Sequence, residues 1–161
     1  MIRDAVVDDL PTIAAITAHY VAHTAIHFAY QPPTVDELTA AWEAARDRHA
    51  WLVATDDGGA VVGYAKSDRF RARAAYDRSA EVGVYLAPDV RGRGRRPRAG
   101  RRADRAAGRR RLPPRDRRHR PAQPGVGALF EGAGFTAVGV FREVGWKFDA
   151  WHDVGFWQRR L

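Results

Sequence analysis

Apolar residues recur along this chain in two rhythms, one helical and one alternating. Ile2 to Val6 predicts a short strand. Asp8 and Asp9 followed by Leu10 and Pro11 form a helix start, with acids at the end where backbone N–H groups lack partners and proline in the first turn. Ile13, Ile16, Tyr20 and Val21 then share one helical face, which predicts a helix to about His23 with that stripe as core. Thr34 and Glu37 stand at capping-box spacing and open a second amphipathic helix through Leu38, Ala41, Trp42 and Ala45. Trp51 to Ala54 and Ala60 to Ala65 flank Asp56-Asp57-Gly58-Gly59, the pattern of a hairpin. Ala80 to Leu86 predicts a further strand. Phe135 to Phe141 and Val154 to Trp157 predict two more, after a helix holding Leu129 and Phe130. Two early helices, with strands on either side of a central crossover, give a mixed α/β order.

The pattern breaks between Arg95 and Pro124. Thirteen arginines stand there against Asp104 and Asp116, a surplus larger than the +8 of the whole chain, so everything else is net acidic. Leu112 is the one large aliphatic residue, and prolines occupy 97, 113, 114, 121 and 124. Such a stretch supplies neither a buried strand nor an amphipathic helix. No aromatic residue is interleaved for base stacking, which argues against a specific nucleic-acid reader and leaves a solvated polycation as the alternative.

A length of 161 residues suits one domain. With no cysteine, disulfides, thiolate nucleophiles and zinc-thiolate sites are excluded. The N-terminus lacks a basic then apolar leader and no run of eighteen apolar residues occurs, so a cytoplasmic protein without a membrane segment is expected.

Residues Glu81 to Gly94 read EVGVYLAPDVRGRG, which resembles the acetyl-CoA strand and loop of the GNAT acetyltransferases. Arg91 and Gly94 match the loop pattern; Arg96 departs from it, where glycine or alanine is usual. RHAWLVA at 48–54, RARAAYD at 71–77 and WHDVGFWQR at 151–159 are similar to the branch that acetylates phosphinothricin and methionine sulfone or sulfoximine. The tail motif is the most specific of these; the loop alone is weak. The resemblance implies an α/β GNAT acyl-CoA N-acyltransferase fold with a mixed central sheet flanked by helices. It also implies acetyl-CoA as co-substrate without a metal, a small-molecule amine as acceptor, and a homodimer.

Acetyl transfer to an amine needs a neutral amine, a polarised thioester carbonyl and a cradle for pyrophosphate. By the resemblance, Glu81 is the general base; read by itself it is a strand-end carboxylate paired to Arg73 or Arg78. Val84, Tyr85 and Leu86 are placed beside the pantetheine arm, where a backbone N–H polarises the thioester oxygen, and as plain sequence they are core strand. Arg91, Gly92, Arg93 and Gly94, with Arg95 and Arg96 opening the next helix, form the pyrophosphate cradle or else a basic turn. Gln123 stands where an asparagine usually contacts the cofactor. Arg73 and Tyr76 are placed at the acceptor, the guanidinium gripping a carboxylate or phosphinate, with Phe28 as a wall of that pocket or as ordinary core. Relatives often carry histidine where Phe130 stands. His27 and His152 lack metal spacing.

The arginine block replaces the family's crossover without adding length. If its arginines are CGN codons, reading each from its second base turns the stretch from Arg95 into VGRALVDALIA, an amphipathic helix opening, and Asp116 to Val126 permits IAGIALPNPAS, a strand followed by a turn and a helix start. One extra base near Gly94 and one missing base near Gly127 would produce the written block; the alternative is a genuine basic insertion.

Overall fold

The computed structural model describes residues 1–90, 107–111 and 124–160. Strand β1 (Ile2–Asp4) is followed by α1 (Leu10–His23), α2 (Val35–Ala45), β2 (Trp51–Thr55), β3 (Val61–Arg69), β4 (Ala80–Leu86), β5 (Ala107–Arg111), α3 (Pro124–Gly132), β6 (Thr136–Lys147) and β7 (Ala150–Gln158). The strands make one sheet in the order β1-β2-β3-β4-β5-β7-β6. Among the described strands only β4 and β5 run parallel.

The α1 stripe is buried as its spacing predicts: Ile13, Ile16, Tyr20 and Val21 are at most 3% exposed. Ile13, Ile16 and Tyr20 pack with Leu38 of α2 and with Trp51, Val53 and Tyr64 from one face of the sheet. Side chains alternate along a strand, so Leu52, Ala54, Val82, Val84 and Leu86 look to the other face. There they line, with Leu129 and Phe130 of α3, an apolar cavity of about 90 Å³.

Thr34 and Glu37 form the expected reciprocal cap, Oγ1 accepting from the Glu37 N–H at 3.1 Å and Oε2 from the Thr34 N–H at 2.8 Å. Asp9 precedes α1 but does not cap it. Its carboxylate instead accepts both guanidinium nitrogens of Arg3, at 2.6 and 2.8 Å, and the Val6 N–H at 2.9 Å. β1 ends at Asp4, earlier than the predicted Val6, whose N–H goes to Asp9. Arg3 first, and then Val6, hold the Asp9 carboxyl below its ordinary range against the opposing effect of burial.

Three strands run longer than their apolar pattern. β3 continues through Lys66 to Arg69 because its polar end pairs with β4, Asp68 opposite Glu81 and Arg69 opposite Ala80. β6 and β7 extend into a two-residue turn, Phe148-Asp149, with φ of 53° and 52°. That is hairpin geometry usually signalled by Asn-Gly, which neither residue announces. β6 also bulges: Arg142 to Val144 stand opposite Asp153 alone. Asp153 fills the gap by accepting the Glu143 N–H at 2.9 Å and pairing with Arg142 at 3.2 Å.

The arginine block departs from its reading in one respect. Ala107–Arg111, sequence AGRRR, forms a strand between β4 and β7. A ladder needs only backbone N–H and C=O groups, so an apolar count does not exclude it.

Candidate active site

β4 lies near the middle of the sheet and carries the candidate chemistry. Glu81, Gly83 and Tyr85 share the α1 face. Glu81 is half-buried and stands opposite Asp68, whose carboxylate pairs with Lys66 at 2.8 Å; the Lys66 ammonium also lies 5.0 Å from the centre of the Trp51 ring. Tyr85 leans back over Gly83: a Cβ at 83 would stand 3.0 Å from its Cε2. The Tyr85 ring stacks on Tyr64 at 5.1 Å and meets Tyr20 edge-on at 5.1 Å and His27 at 6.2 Å.

The β4 edge away from β3 is set by register. Ala87 donates its N–H to Val62, so by antiparallel alternation the backbone groups of Val82, Val84 and Leu86 point toward the β5 side. The ladder to β5 spans Glu81 opposite Ala107 and Val82 opposite Gly108. Among the described residues no strand continues it past Val82. Val84 therefore presents a peptide edge of the kind an extended amide ligand pairs with. At Leu86 the Tyr20 hydroxyl takes that edge, donating to the carbonyl at 2.9 Å, with the Leu86 N–H 3.4 Å away.

The acceptor candidates lie at the two ends of β4. Arg73 and Tyr76 stand in the loop entering it, and Tyr76 accepts the Ser79 N–H at 2.8 Å through its carbonyl. With Arg71 and Ala72 they line an open pocket of about 350 Å³. The Tyr76 ring is held edge-on to Phe70 at 5.6 Å, with the Arg71 guanidinium 5.9 Å from its centre. Arg73 is exposed and makes no salt bridge among the described residues. Phe28 lies near the other end, its ring 6.0 Å from that of His152 and against Gly145. Phe130 is buried edge-on to Phe135 at 5.2 Å. Arg91, Gly92, Arg93, Gly94, Arg95, Arg96 and Gln123 lie outside the described residues.

Sequence reasoning missed several contributors. Tyr20 reads as one more core position, although a hydroxyl in an apolar stripe requires a partner, here the β4 backbone. Only two of the 27 basic residues are lysines, Lys66 and Lys147. Lys66 sits beside Asp68, across from Glu81. Lys147 is 3% exposed and donates to the carbonyls of Val21, of His27 at 2.7 Å and of Thr24 at 3.0 Å. That scarcity of lysine was the available signal.

The Acetyltransferase (GNAT) family matches residues 15–95, from within α1 to beyond β4. A phosphinothricin N-acetyltransferase of Streptomyces viridochromogenes is 34% identical, over 98% of this chain and 86% of its own. A phosphinothricin acetyltransferase of Sinorhizobium meliloti, solved in complex with acetyl-CoA, superposes with a TM-score of 0.78 at 26% identity, covering 99% of this chain and 86% of that one. A ribosomal-protein-alanine N-acetyltransferase of Brucella melitensis gives 0.80 at 27% identity, over 100% and 99% of the two chains. With its β4 face, its sheet order and these relatives in agreement, the chain belongs to the GNAT family of acetyltransferases.

Proposed function

We propose that this chain transfers an acetyl group from acetyl-CoA to the amino group of a small amino acid analogue of the phosphinothricin, methionine sulfone or methionine sulfoximine type. The observation that carries the reading is the half-buried carboxylate of Glu81 three residues before the open edge at Val84, within a chain 34% identical to a phosphinothricin N-acetyltransferase. An amide-bearing pantetheine arm fits that edge, and the Val84 N–H is placed to polarise a thioester oxygen, the Leu86 groups being taken by Tyr20. Glu81 takes the proton of the incoming amine as the N–C bond forms and the C–S bond breaks; CoA leaves as the thiolate and takes up a proton to give the free thiol. Arg73, exposed in the pocket at the start of β4, grips the acceptor's carboxylate or phosphinate and Tyr76 adds a hydrogen bond; Phe28, near the other end of β4, is assigned the apolar wall on the side of the Val84 edge. Arg91 to Gly94 are assigned to the pyrophosphate; Arg95, Arg96 and Gln123 occupy family positions for the cofactor but fall within the segment read below as frame-shifted.

The chain acts as one domain in the cytoplasm and as a homodimer. Supporting the dimer, β6 is an edge strand with Val138, Val140, Phe141, Val144 and Trp146 exposed, and Trp151 of β7 lies edge-on to Trp146 at 5.3 Å. An uncovered apolar edge of this kind invites pairing. Among the described residues no helix is long and apolar enough to cross a membrane.

Residues 95–126 are read as a frame-shifted segment. The family match ends at 95, and the apolar cavity between the sheet and α3 calls for the alanine, leucine and isoleucine of VGRALVDALIA rather than arginine.

A thiol-release screen of these amines with acetyl-CoA tests the activity. Glu81→Gln should keep acetyl-CoA affinity while lowering turnover by roughly 10² or more. Unchanged turnover at saturating amine would remove Glu81 from the mechanism. Salt-sensitive retention on DNA without thiol release from any amine would favour the polycation alternative.

A further inference from the structure

We infer that Gly145 to Lys147, the last residues of β6, position the acceptor wall, with Gly145 seating the Phe28 ring and Lys147 fixing the backbone that carries it. The inference rests on the proposed placement of Phe28 at the acceptor. The segment from Thr24 to Thr34 has no regular secondary structure, so α1 and α2 alone do not fix where Phe28 points. Three consecutive residues of β6 supply what is missing.

At Gly145 the tip of the ring meets the strand: a Cβ there would fall inside contact distance of Phe28 Cζ, Cε1 and Cε2. Only a residue without a side chain lets the ring come so close. At 146 the Trp carbonyl accepts the Tyr30 hydroxyl at 2.8 Å. At 147 the buried ammonium reaches Val21 and Thr24 at the C-terminal end of α1, and His27, the residue before Phe28. The last carbonyls of a helix lack intrahelical partners and carry the negative end of its dipole, so a cation is well placed there. Lys147 is itself held, because His152 Nε2 lies 2.7 Å from its carbonyl; a carbonyl only accepts, so Nε2 carries the proton. The bulge locked by Asp153 sets the course of β6 just before Gly145. His152 and Asp153 of the tail motif thus act through β6 as positioning residues and not on the reacting atoms.

The test compares Gly145→Ala, Phe28→Ala and the double variant in steady-state kinetics. Gly145→Ala should raise KM for the amine roughly tenfold while KM for acetyl-CoA stays within about twofold. In the Phe28→Ala background it should have no further effect, because the ring it displaces is gone. An unchanged amine KM in Gly145→Ala, with Phe28→Ala raising it, overturns the inference alone. An equal increase from Gly145→Ala with and without Phe28 does the same. An unchanged amine KM in Phe28→Ala removes Phe28 from the acceptor site, and the inference with it. A second arm needs no turnover: in Lys147→Met, hydrogen exchange of the Ile26 and Ala29 amides should quicken about tenfold or more while β2 and β3 amides keep their protection. Unchanged loop exchange in the folded variant would overturn the role of Lys147.

Discussion

Gly63 sits on β3 directly opposite Leu86, at the end of β4 where the cofactor edge is proposed. A methyl group there would stand 2.7 Å from Leu86 Cδ2, 2.8 Å from the Tyr85 carbonyl oxygen and 3.3 Å from Leu86 Cα. The leucine methyl can rotate away, but the carbonyl and the Cα belong to the neighbouring backbone, so β4 itself must move by a few tenths of an ångström. Overpacking of this kind costs about 1–3 kcal/mol. Replacing a strand glycine recovers about 0.5–1 kcal/mol of chain entropy. The net loss for Gly63→Ala is therefore up to about 2.5 kcal/mol, centred on about 1, or roughly 2–4 °C in Tm at that centre for a chain of this size. Gly139 on β6 is the control, since a Cβ there meets nothing within 4 Å. Gly139→Ala should leave Tm unchanged or raise it by about 1–3 °C. Acetyl-CoA titrations should show weaker binding for Gly63→Ala and none of that weakening for Gly139→Ala. If both variants melt together and bind acetyl-CoA equally, close packing of β3 on the end of β4 does not control the cofactor edge.

Burial pushes the Tyr64 phenol well above its ordinary range, although its hydroxyl lies 2.6 Å from Thr17 Oγ1. Below about pH 10 the phenol is neutral folded and unfolded; above it only the unfolded chain ionises, so stability falls by about 1.4 kcal/mol per pH unit. Tyr64→Phe should thus be the less stable protein at pH 8 and should close or reverse that gap by pH 11, and thermal melts that stay parallel would contradict this. Asp149→Gly relieves a left-handed residue in the β6–β7 turn while keeping Lys147 over the Phe148 ring; a gain of about 1 kcal/mol is expected, read as a rise in Tm. An intact mass equal to that of the written chain would exclude an error confined to the reported sequence. A mass-verified chain matching the frame-restored protein in Tm and thiol release would make the block a tolerated loop.

Where one principle dominated, the fold was legible from the residues. The α1 stripe and the Thr34–Glu37 cap formed as read, because burial and capping are local. The polar end of β3 was not legible, since Lys66 to Arg69 are in a strand only because β4 lies alongside. Nor was the turn at Phe148-Asp149, which hairpin closure imposes on residues that do not favour it. At the site, the resemblance pointed to Glu81, and the registers place it on the face shared with Tyr85. Lys147 escaped because its meaning lies in carbonyls more than a hundred residues away.

The placement of β5 bears on how the molecule comes apart. β1 to β4 are joined by hairpins and near neighbours, and β6 and β7 by a tight turn; among the described strands β5, five residues long, is the one that joins these two groups within the sheet, while Lys147 and Trp146 tie the end of β6 to the α1 side. Its residues, AGRRR, include no large apolar side chain, so the bridge relies on backbone hydrogen bonds, each contributing about 1 kcal/mol. Denaturant should then find a seam rather than a single all-or-none unit: the hairpin of β6 and β7 releases first, while the strands packed on α1 hold until their own core opens. The β4 edge lies on that seam, and the part of the chain that unfolds most easily is therefore the part beside which acetyl-CoA is proposed to bind.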